Sequence, residues 1–251
     1  MATVGQAVHK LPEYCLGEVE AGRDLPGIVR SVEAVYEALD DMAKAPNIDW
    51  LDRRAGRRIT IDEARELADG FARSLYRGAV VPIGEEKSTK HVELAFDVPI
   101  PDAPGWTFKG AIDHVRVRKD ADGGKLWVDD WKTAQSRWTQ SRADASLQPT
   151  AYFWAYEQLT GRMPQGFTFH VVYRDRKGVV DYLSFDTLRS RQEVEEFGDR
   201  LRYAVKVIGL HDKSHPSDKR VDYEYHKYCS FREQCTPWEV SSADDLIITA
   251  E

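Results

Sequence analysis

The feature that most constrains the fold is a set of three strand-like segments between residues 90 and 132. In the first segment, 90–98, apolar residues alternate with polar ones, and 106–117 and 125–132 have the same character. A period of two places alternate side chains on one face of a β-sheet. The sequence Asp-Ala-Asp-Gly-Gly at 120–124 is a strong turn signal, because Asp and Gly adopt the backbone angles of tight turns. We therefore predict three strands, of which the last two form a hairpin.

Helical patterns flank these strands. Apolar residues recur at helical spacing after Pro26, and Thr60-Ile-Asp-Glu63 is a capping-box pattern that opens a second helix. Four further elements, in the order helix, strand, strand and helix, are predicted at about 146–161, 167–173, 179–185 and 188–210. This order predicts an α/β fold with one central mixed sheet flanked by helices.

Composition limits the classes of protein that the chain can belong to. Its 251 residues can form one substantial domain, which we divide into a helical part (1–80), a core (88–210) and a Cys-containing segment (211–251). We find no apolar run long enough to span a membrane and no secretory signal, and three cysteines do not make a disulfide framework. We therefore expect a cytoplasmic protein. Its net charge of −7 argues against a uniformly basic nucleic-acid-binding surface.

The predicted hairpin brings two carboxylates together. Pairing the strands around a turn centred near residue 122 places Asp113 opposite Asp130. Facing like charges are unfavourable unless a cation lies between them. Lys132 is two residues beyond Asp130, so both side chains point to the same face of the strand. An acidic pair with an adjacent ammonium is suited to metal-dependent hydrolysis of a phosphodiester bond.

An ordinary explanation of the same residues is a charged surface hairpin in which Lys132 forms a salt bridge. Charged surface strands are common, so the pattern alone favours that explanation. The order of motifs around the pattern argues for the functional interpretation. Those motifs are Gly5-Gln-Ala-Val-His9, Glu93, Gly110-Ala-Ile-Asp113, Val128-Asp-Asp-Trp-Lys-Thr133 and Gln148-Pro-Thr-Ala-Tyr152.

In this order and spacing, the motifs resemble those of the RecB-type branch of the PD-(D/E)xK nuclease superfamily, which includes CRISPR adaptation exonucleases and phage exonucleases. The resemblance implies a restriction-endonuclease-like core. It also implies that Asp113 is the central metal ligand and Asp130 the second carboxylate, with Lys132 as the catalytic lysine.

The resemblance implies further roles around this centre. His9 would bind the metal or lie beside it, the backbone carbonyl of Trp131 would complete the site, and Glu93 is a candidate outer ligand. Gln148 and Tyr152 lie four residues apart on one helical face, so both can reach the same strand edge and the DNA backbone. The metal would be Mg²⁺ or Mn²⁺, and the substrate DNA.

Two details depart from the family pattern. Pro12 follows His9 by three residues, and because proline is tolerated in a first helical turn, we expect that His9 can precede a helix that starts near Pro12. Iron–sulfur members carry three cysteines near the C-terminus and one near the N-terminus. The candidate soft ligands in this chain are Cys15, His226, Cys229 and Cys235. An iron–sulfur cluster or a zinc ion there is chemically conceivable but not favoured, because cluster ligands are usually all cysteines.

The sequence thus predicts a divalent-metal-dependent DNA exonuclease that acts in recombination, repair or phage DNA metabolism, in a bacterial or phage-infected cell. A recombination or replication protein is a conceivable partner, and we expect no membrane association. Two alternatives stay open at this point. One is a catalytically silent DNA-binding or scaffold subunit with the same fold, and the other is an iron–sulfur nuclease of the CRISPR adaptation type.

Overall fold

The computed structural model describes residues 2–44, 51–52, 57–120, 123–175 and 177–210. The chain divides into two units, Met1–Val205 and Lys206–Glu251. All of the central sheet lies in the first unit, and of the second unit the described residues include only the end of the last helix. In the described part of the chain, no helix is both long and apolar enough to cross a membrane.

The described elements alternate between helices and strands. The helices are α1 (Ala2–Glu20), α2 (Ile28–Ala43), α3 (Ile61–Leu75), α4 (Val81–Glu85), α5 (Gln140–Asp144), α6 (Gln148–Thr160) and α7 (Arg191–Leu210), with a π-helical turn at Tyr76–Val80. The strands are β1 (Leu51–Asp52), β2 (Arg57–Arg58), β3 (Thr89–Pro99), β4 (Thr107–Asp120), β5 (Gly123–Ala134), β6 (Gly166–Arg174) and β7 (Val180–Thr187). The short elements β1, β2, α4 and α5 and the π-helical turn were not predicted from the sequence.

The predicted central mixed sheet is confirmed. Its five strands lie in the order β3-β4-β5-β6-β7, and all neighbours are antiparallel except β5 and β6. The parallel pair requires a crossover connection, which α5 and α6 supply. The predicted hairpin register is also confirmed, because His114 pairs with Asp129 and Asp120 with Gly123.

Helices α1, α2 and α3 cover one face of the sheet. The predicted capping box forms at Thr60, whose hydroxyl accepts from the Glu63 N–H while the Glu63 carboxylate accepts from the Thr60 N–H. Apolar side chains of the three helices form one core together with Trp131 and Val172 of the sheet. On the other face, α6 and α7 enclose a second core, which includes Val128 and Phe167.

The expectation that a helix starts near Pro12 is wrong. Helix α1 begins at Ala2 and continues through Pro12, so His9 lies inside it. An interior proline costs about 3 kcal/mol or more. Val4, Val8, Leu11, Cys15 and Leu16 form a fully buried stripe on both sides of the proline. Burial of a large apolar side chain contributes roughly 1.5–3 kcal/mol, so this stripe outweighs the cost of the proline.

Candidate active site

The site lies where β3 and β4 change the face to which their side chains point. Val92 packs against the core of α1–α3, but Leu94, two residues later, packs against the opposite core. In a regular strand these two side chains would share a face. The change occurs at Glu93, which has a φ of +49°. Because few residues other than glycine adopt this conformation, we interpret it as local strain that re-aims the Glu93 side chain.

Strand β4 changes face at the level of Glu93. Val92 pairs with His114 and Leu94 with Ile112, so Asp113 lies beside Glu93. Ile112 belongs to the core under α6 and α7, whereas the His114 ring contacts Trp131 on the other face. The two carboxylates therefore lie together at an irregularity in the sheet.

Helix α1 brings His9 to these carboxylates. Gly5, one turn before His9, allows α1 to lie close to β5, because a Cβ atom there would be 2.6 Å from Thr133 Oγ1. His9 Nδ1 lies 3.6 Å from Asp113 Oδ2. One ligand atom from each of His9, Glu93 and Asp113 lies within 4.8 Å of the other two. The structure thus brings together two predicted inner-site residues and the predicted outer ligand.

The Trp131 peptide group lies against the same residues. Its N–H donates to Asp113 Oδ2 at 3.0 Å. Burial lowers the pKa of His9, although the charge of Asp113 and, less strongly, the Trp131 backbone raise it. The lowered pKa favours the neutral imidazole that ligates metals.

The donor chemistry of this group fits a divalent cation. Burial, followed by the negative charge of Asp113, raises the pKa of Glu93 to about 7. Two carboxylates that crowd each other in this way are stabilised by a bound cation. Together with the imidazole and the Trp131 carbonyl, they offer the hard and borderline ligands that Mg²⁺ and Mn²⁺ accept.

Asp130, which the resemblance predicts as the second carboxylate of the metal site, is not part of the group formed by His9, Glu93 and Asp113. It contacts the predicted catalytic side chains instead. It is fully buried, and its Oδ2 lies 2.6 Å from Lys132 Nζ. The Gln148 amide donates to Asp130 Oδ1 at 2.7 Å and to the Tyr152 hydroxyl at 2.9 Å. Burial and the charge of Asp113 raise the pKa of Asp130 to about 7. Strand β5 and helix α6 therefore meet at this carboxylate.

A cleft of about 420 Å³ opens over the site. His9, Glu93 and Lys132 all line it, so two of the three candidate metal ligands and the lysine face the same space. The other lining residues are Gly5, Gln6, Lys10, Glu13, Met42, Trp131 and Thr133. A phosphodiester in this cleft would contact both the ligand group and the lysine.

Sequence reasoning missed a buried polar network around Asp129. The Asp129 carboxylate is fully buried and bonds to His114 Nδ1 (2.9 Å), Arg116 Nε (2.8 Å) and His170 Nε2 (3.0 Å). His170 Nδ1 lies 2.7 Å from the Tyr182 hydroxyl. The hairpin register could have revealed part of this network, because it places Asp129 directly opposite His114.

Only one of the candidate soft ligands lies in the described part of the chain. Cys15 is fully buried among the α1–α3 helices, with its thiol 3.0 Å from Ser31 Oγ. Burial raises the pKa of this thiol to about 11. His226, Cys229 and Cys235 lie outside the described residues.

Comparison with known families agrees with the fold and the site. Residues 1–236 match the model of the PD-(D/E)XK nuclease superfamily. This chain therefore belongs to the PD-(D/E)XK nuclease superfamily, a class of nucleases that generally use divalent metals. No curated protein matches it.

Proposed function

We propose that this protein is a divalent-metal-dependent DNA exonuclease of the RecB-type branch of its superfamily. The observation that carries the proposal is the convergence of His9, Glu93 and Asp113 beside a cleft that His9, Glu93 and Lys132 line. A catalytically silent scaffold would not need this arrangement, in which crowded buried carboxylates face an ammonium.

The residues of this chain have distinct tasks in the proposed reaction. When bound, Mg²⁺ or Mn²⁺ supplies Lewis-acid polarisation of the scissile phosphate and neutralises developing negative charge. His9, Glu93, Asp113 and the Trp131 carbonyl would hold that ion. Lys132, restrained by Asp130, places its ammonium where it can stabilise charge on the reacting phosphate.

Gln148 and Tyr152 support this arrangement from α6. The Gln148 amide has one contact to Asp130 and one to Tyr152, so it fixes the orientation of the carboxylate that holds Lys132. The Gln-x3-Tyr motif also favours an exonuclease over a sequence-specific endonuclease, by resemblance to RecB-type nucleases. From the same resemblance we propose a cytoplasmic role in recombination, repair or phage DNA metabolism.

The experiment that tests this function compares end-labelled linear DNA with closed circular DNA of the same sequence, in Mg²⁺, Mn²⁺ or chelator. We expect the linear DNA to be degraded from its ends in either metal and to persist in chelator. Circular DNA should persist in all three conditions. Equal degradation of both would rule out an exonuclease.

The matched control is Asp113→Asn, which preserves the size of the side chain but removes its charge. We expect this variant to leave linear DNA intact in both metals, because one ligand of the cation is lost. If Asp113→Asn degraded linear DNA at the wild-type rate, the cleavage would not arise from this site.

A further inference from the structure

The segment that joins β5 to α6, residues 135–147, is anchored in the proposed active site at both ends. Lys132 lies just before it and Gln148 just after it, and both contact the Asp130 carboxylate. A nucleic-acid strand that extends from Lys132 toward the start of α6 would therefore pass close to this segment. The segment contains Arg137 and Arg142, both exposed, in a chain whose net charge is −7.

Arg142 is held in place by an aromatic ring. Its guanidinium carbon lies 4.2 Å from the centre of the Trp138 ring. The Trp138 ring in turn lies 5.3 Å from Phe169, and Lys132 Nζ lies 6.0 Å from the same Phe169 ring. Two aromatic rings thus connect the lysine of the site with an exposed arginine.

The backbone beneath Arg142 is also fixed. The Thr139 hydroxyl accepts from the Arg142 N–H at the start of α5. The Arg189 guanidinium donates to the backbone carbonyls of Asp144 and Ser146, at 3.0 and 2.7 Å. Because the side chain and the backbone are already ordered, Arg142 would lose little conformational entropy on binding a ligand.

Arg142 forms no ion pair within the described residues. Stacking on Trp138 leaves the edge of the guanidinium, with its N–H donors, available for an anion. A guanidinium presents several donors in one plane, which suits phosphate oxygens. The proposed DNA substrate carries such phosphates along its backbone, on both sides of the bond that is cleaved.

We propose that Arg142, stacked on Trp138, binds a backbone phosphate of the nucleic-acid strand whose cleavage occurs beside Lys132. This inference rests on the proposed function and deepens it, because it assigns a binding residue outside the motifs of the superfamily. The contact is to the backbone, so it holds the strand without reading its base sequence.

The test measures both cleavage and binding by Arg142→Ala. The substrate is a fluorescein-labelled linear duplex with single-stranded overhangs at both ends. In Mn²⁺ we expect KM to rise roughly tenfold with kcat almost unchanged, because a charged hydrogen bond that holds substrate and transition state equally is lost. Arg142→Lys should recover part of the loss, since it keeps the charge but not the planar stacking.

Binding is measured by fluorescence anisotropy in a Lys132→Ala background, which prevents cleavage during the titration. Removal of one phosphate contact should reduce the slope of log Kd against log salt by about 0.7–0.9. The matched control is Arg162→Ala. Arg162 is also exposed and without an ion pair in the described chain, but it lies between α6 and β6, at the other end of the parallel strands.

Two results would be decisive. If Arg142→Ala has the same KM and salt slope as Arg162→Ala while wild type binds and cuts DNA, the role of Arg142 is wrong and the proposed function stands. If the wild-type protein neither binds nor cuts this substrate in Mn²⁺, the proposed function itself fails.

Discussion

Two adjacent aspartates on β5 have opposite environments. Asp129 and Asp130 are both fully buried, but they point to opposite faces of the sheet. Burial alone would raise the pKa of Asp129, yet hydrogen bonds from His114 and His170 and the charge of Arg116 hold it well below the ordinary value. The pKa of Asp130 is raised to about 7 by burial and by Asp113, which outweigh the contact with Lys132.

We interpret Asp129 as a carboxylate that stabilises the fold and Asp130 as one that acts in the proposed active site. The Asp129 carboxylate bonds to three neighbouring side chains, one of which is the guanidinium of Arg116, so its charge is stabilised within the folded protein. Asp130 is repelled by the charge of Asp113, and we expect this repulsion to lower stability until a cation neutralises Asp113. Unfavourable electrostatics in a native structure are more often found at functional sites than elsewhere.

The largest expected effect is on catalysis by Asp130→Asn. We expect cleavage of linear DNA in Mn²⁺ to fall by roughly 10³-fold or more. Asp130 restrains Lys132, and stabilisation of charge on the reacting phosphate is worth several kcal/mol. The free energy of unfolding should stay the same or increase, since repulsion of Asp113 is removed. Single-turnover cleavage and urea denaturation of the same preparation measure both quantities.

Asp129→Asn should show the opposite pattern. Removing one partner of a buried ion pair leaves Arg116 poorly compensated, at a cost of about 3–5 kcal/mol in the free energy of unfolding. At a temperature where the variant is folded, its cleavage rate should stay within a few-fold of wild type. If Asp129→Asn were inactive while folded and as stable as wild type, the structural role assigned to Asp129 would be wrong.

Stabilisation of the folded protein by Mn²⁺ tests the two roles in the absence of DNA. At about 100 times its Kd, a ligand that binds only the folded state stabilises it by about 2.7 kcal/mol. We expect this gain for wild type and for Asp129→Asn but not for Asp113→Asn, in thermal unfolding measured with and without metal. A gain of equal size in Asp113→Asn would place the cation elsewhere.

The smallest expected effects come from two tyrosines that reach the aspartates through one intervening side chain. Tyr182 is linked to Asp129 through His170, and Tyr152 is linked to Asp130 through Gln148. Tyr182→Phe removes the contact with His170 and should lower the free energy of unfolding by about 1 kcal/mol, with no change in cleavage. Tyr152→Phe removes the contact with Gln148 and should lower the cleavage rate several-fold. A loss of cleavage rate in Tyr182→Phe, with a loss of stability alone in Tyr152→Phe, would contradict the roles assigned to the two networks.

The sequence predicted most of the sheet because its signals are local. Alternation and turn residues define β3–β5, and the hairpin register follows from the turn alone. The same register placed Asp113 level with Asp130, and the spacing along β5 put Lys132 beside Asp130, at 2.6 Å in the structure. The order of motifs predicted that Gln148 reaches a strand edge, but its contact with the Asp130 carboxylate was not predicted.

Other parts of the site depend on tertiary packing that local patterns do not encode. The path of α1 through Pro12 is decided by burial of the helix against its neighbours. The unusual backbone of Glu93 arises where two strands change face, and no single-residue preference favours it for glutamate. The Asp129 network joins β4, β5, β6 and β7. Because α5 and α6 separate β5 from β6 along the chain, sequence distance conceals the contact of Asp129 with His170.

The most direct test of the central claim compares two lysines that line the same cleft. Single-turnover cleavage of end-labelled linear DNA is measured in saturating Mn²⁺ for wild type, Lys132→Ala and Lys10→Ala. Lys10 forms a salt bridge with Glu13 at 2.5 Å and has no contact with Asp130, so its loss should change the rate only slightly. The account predicts that Lys132→Ala loses most of the rate at saturating DNA while still binding it. A Lys132→Ala protein that cuts as fast as Lys10→Ala would contradict the account.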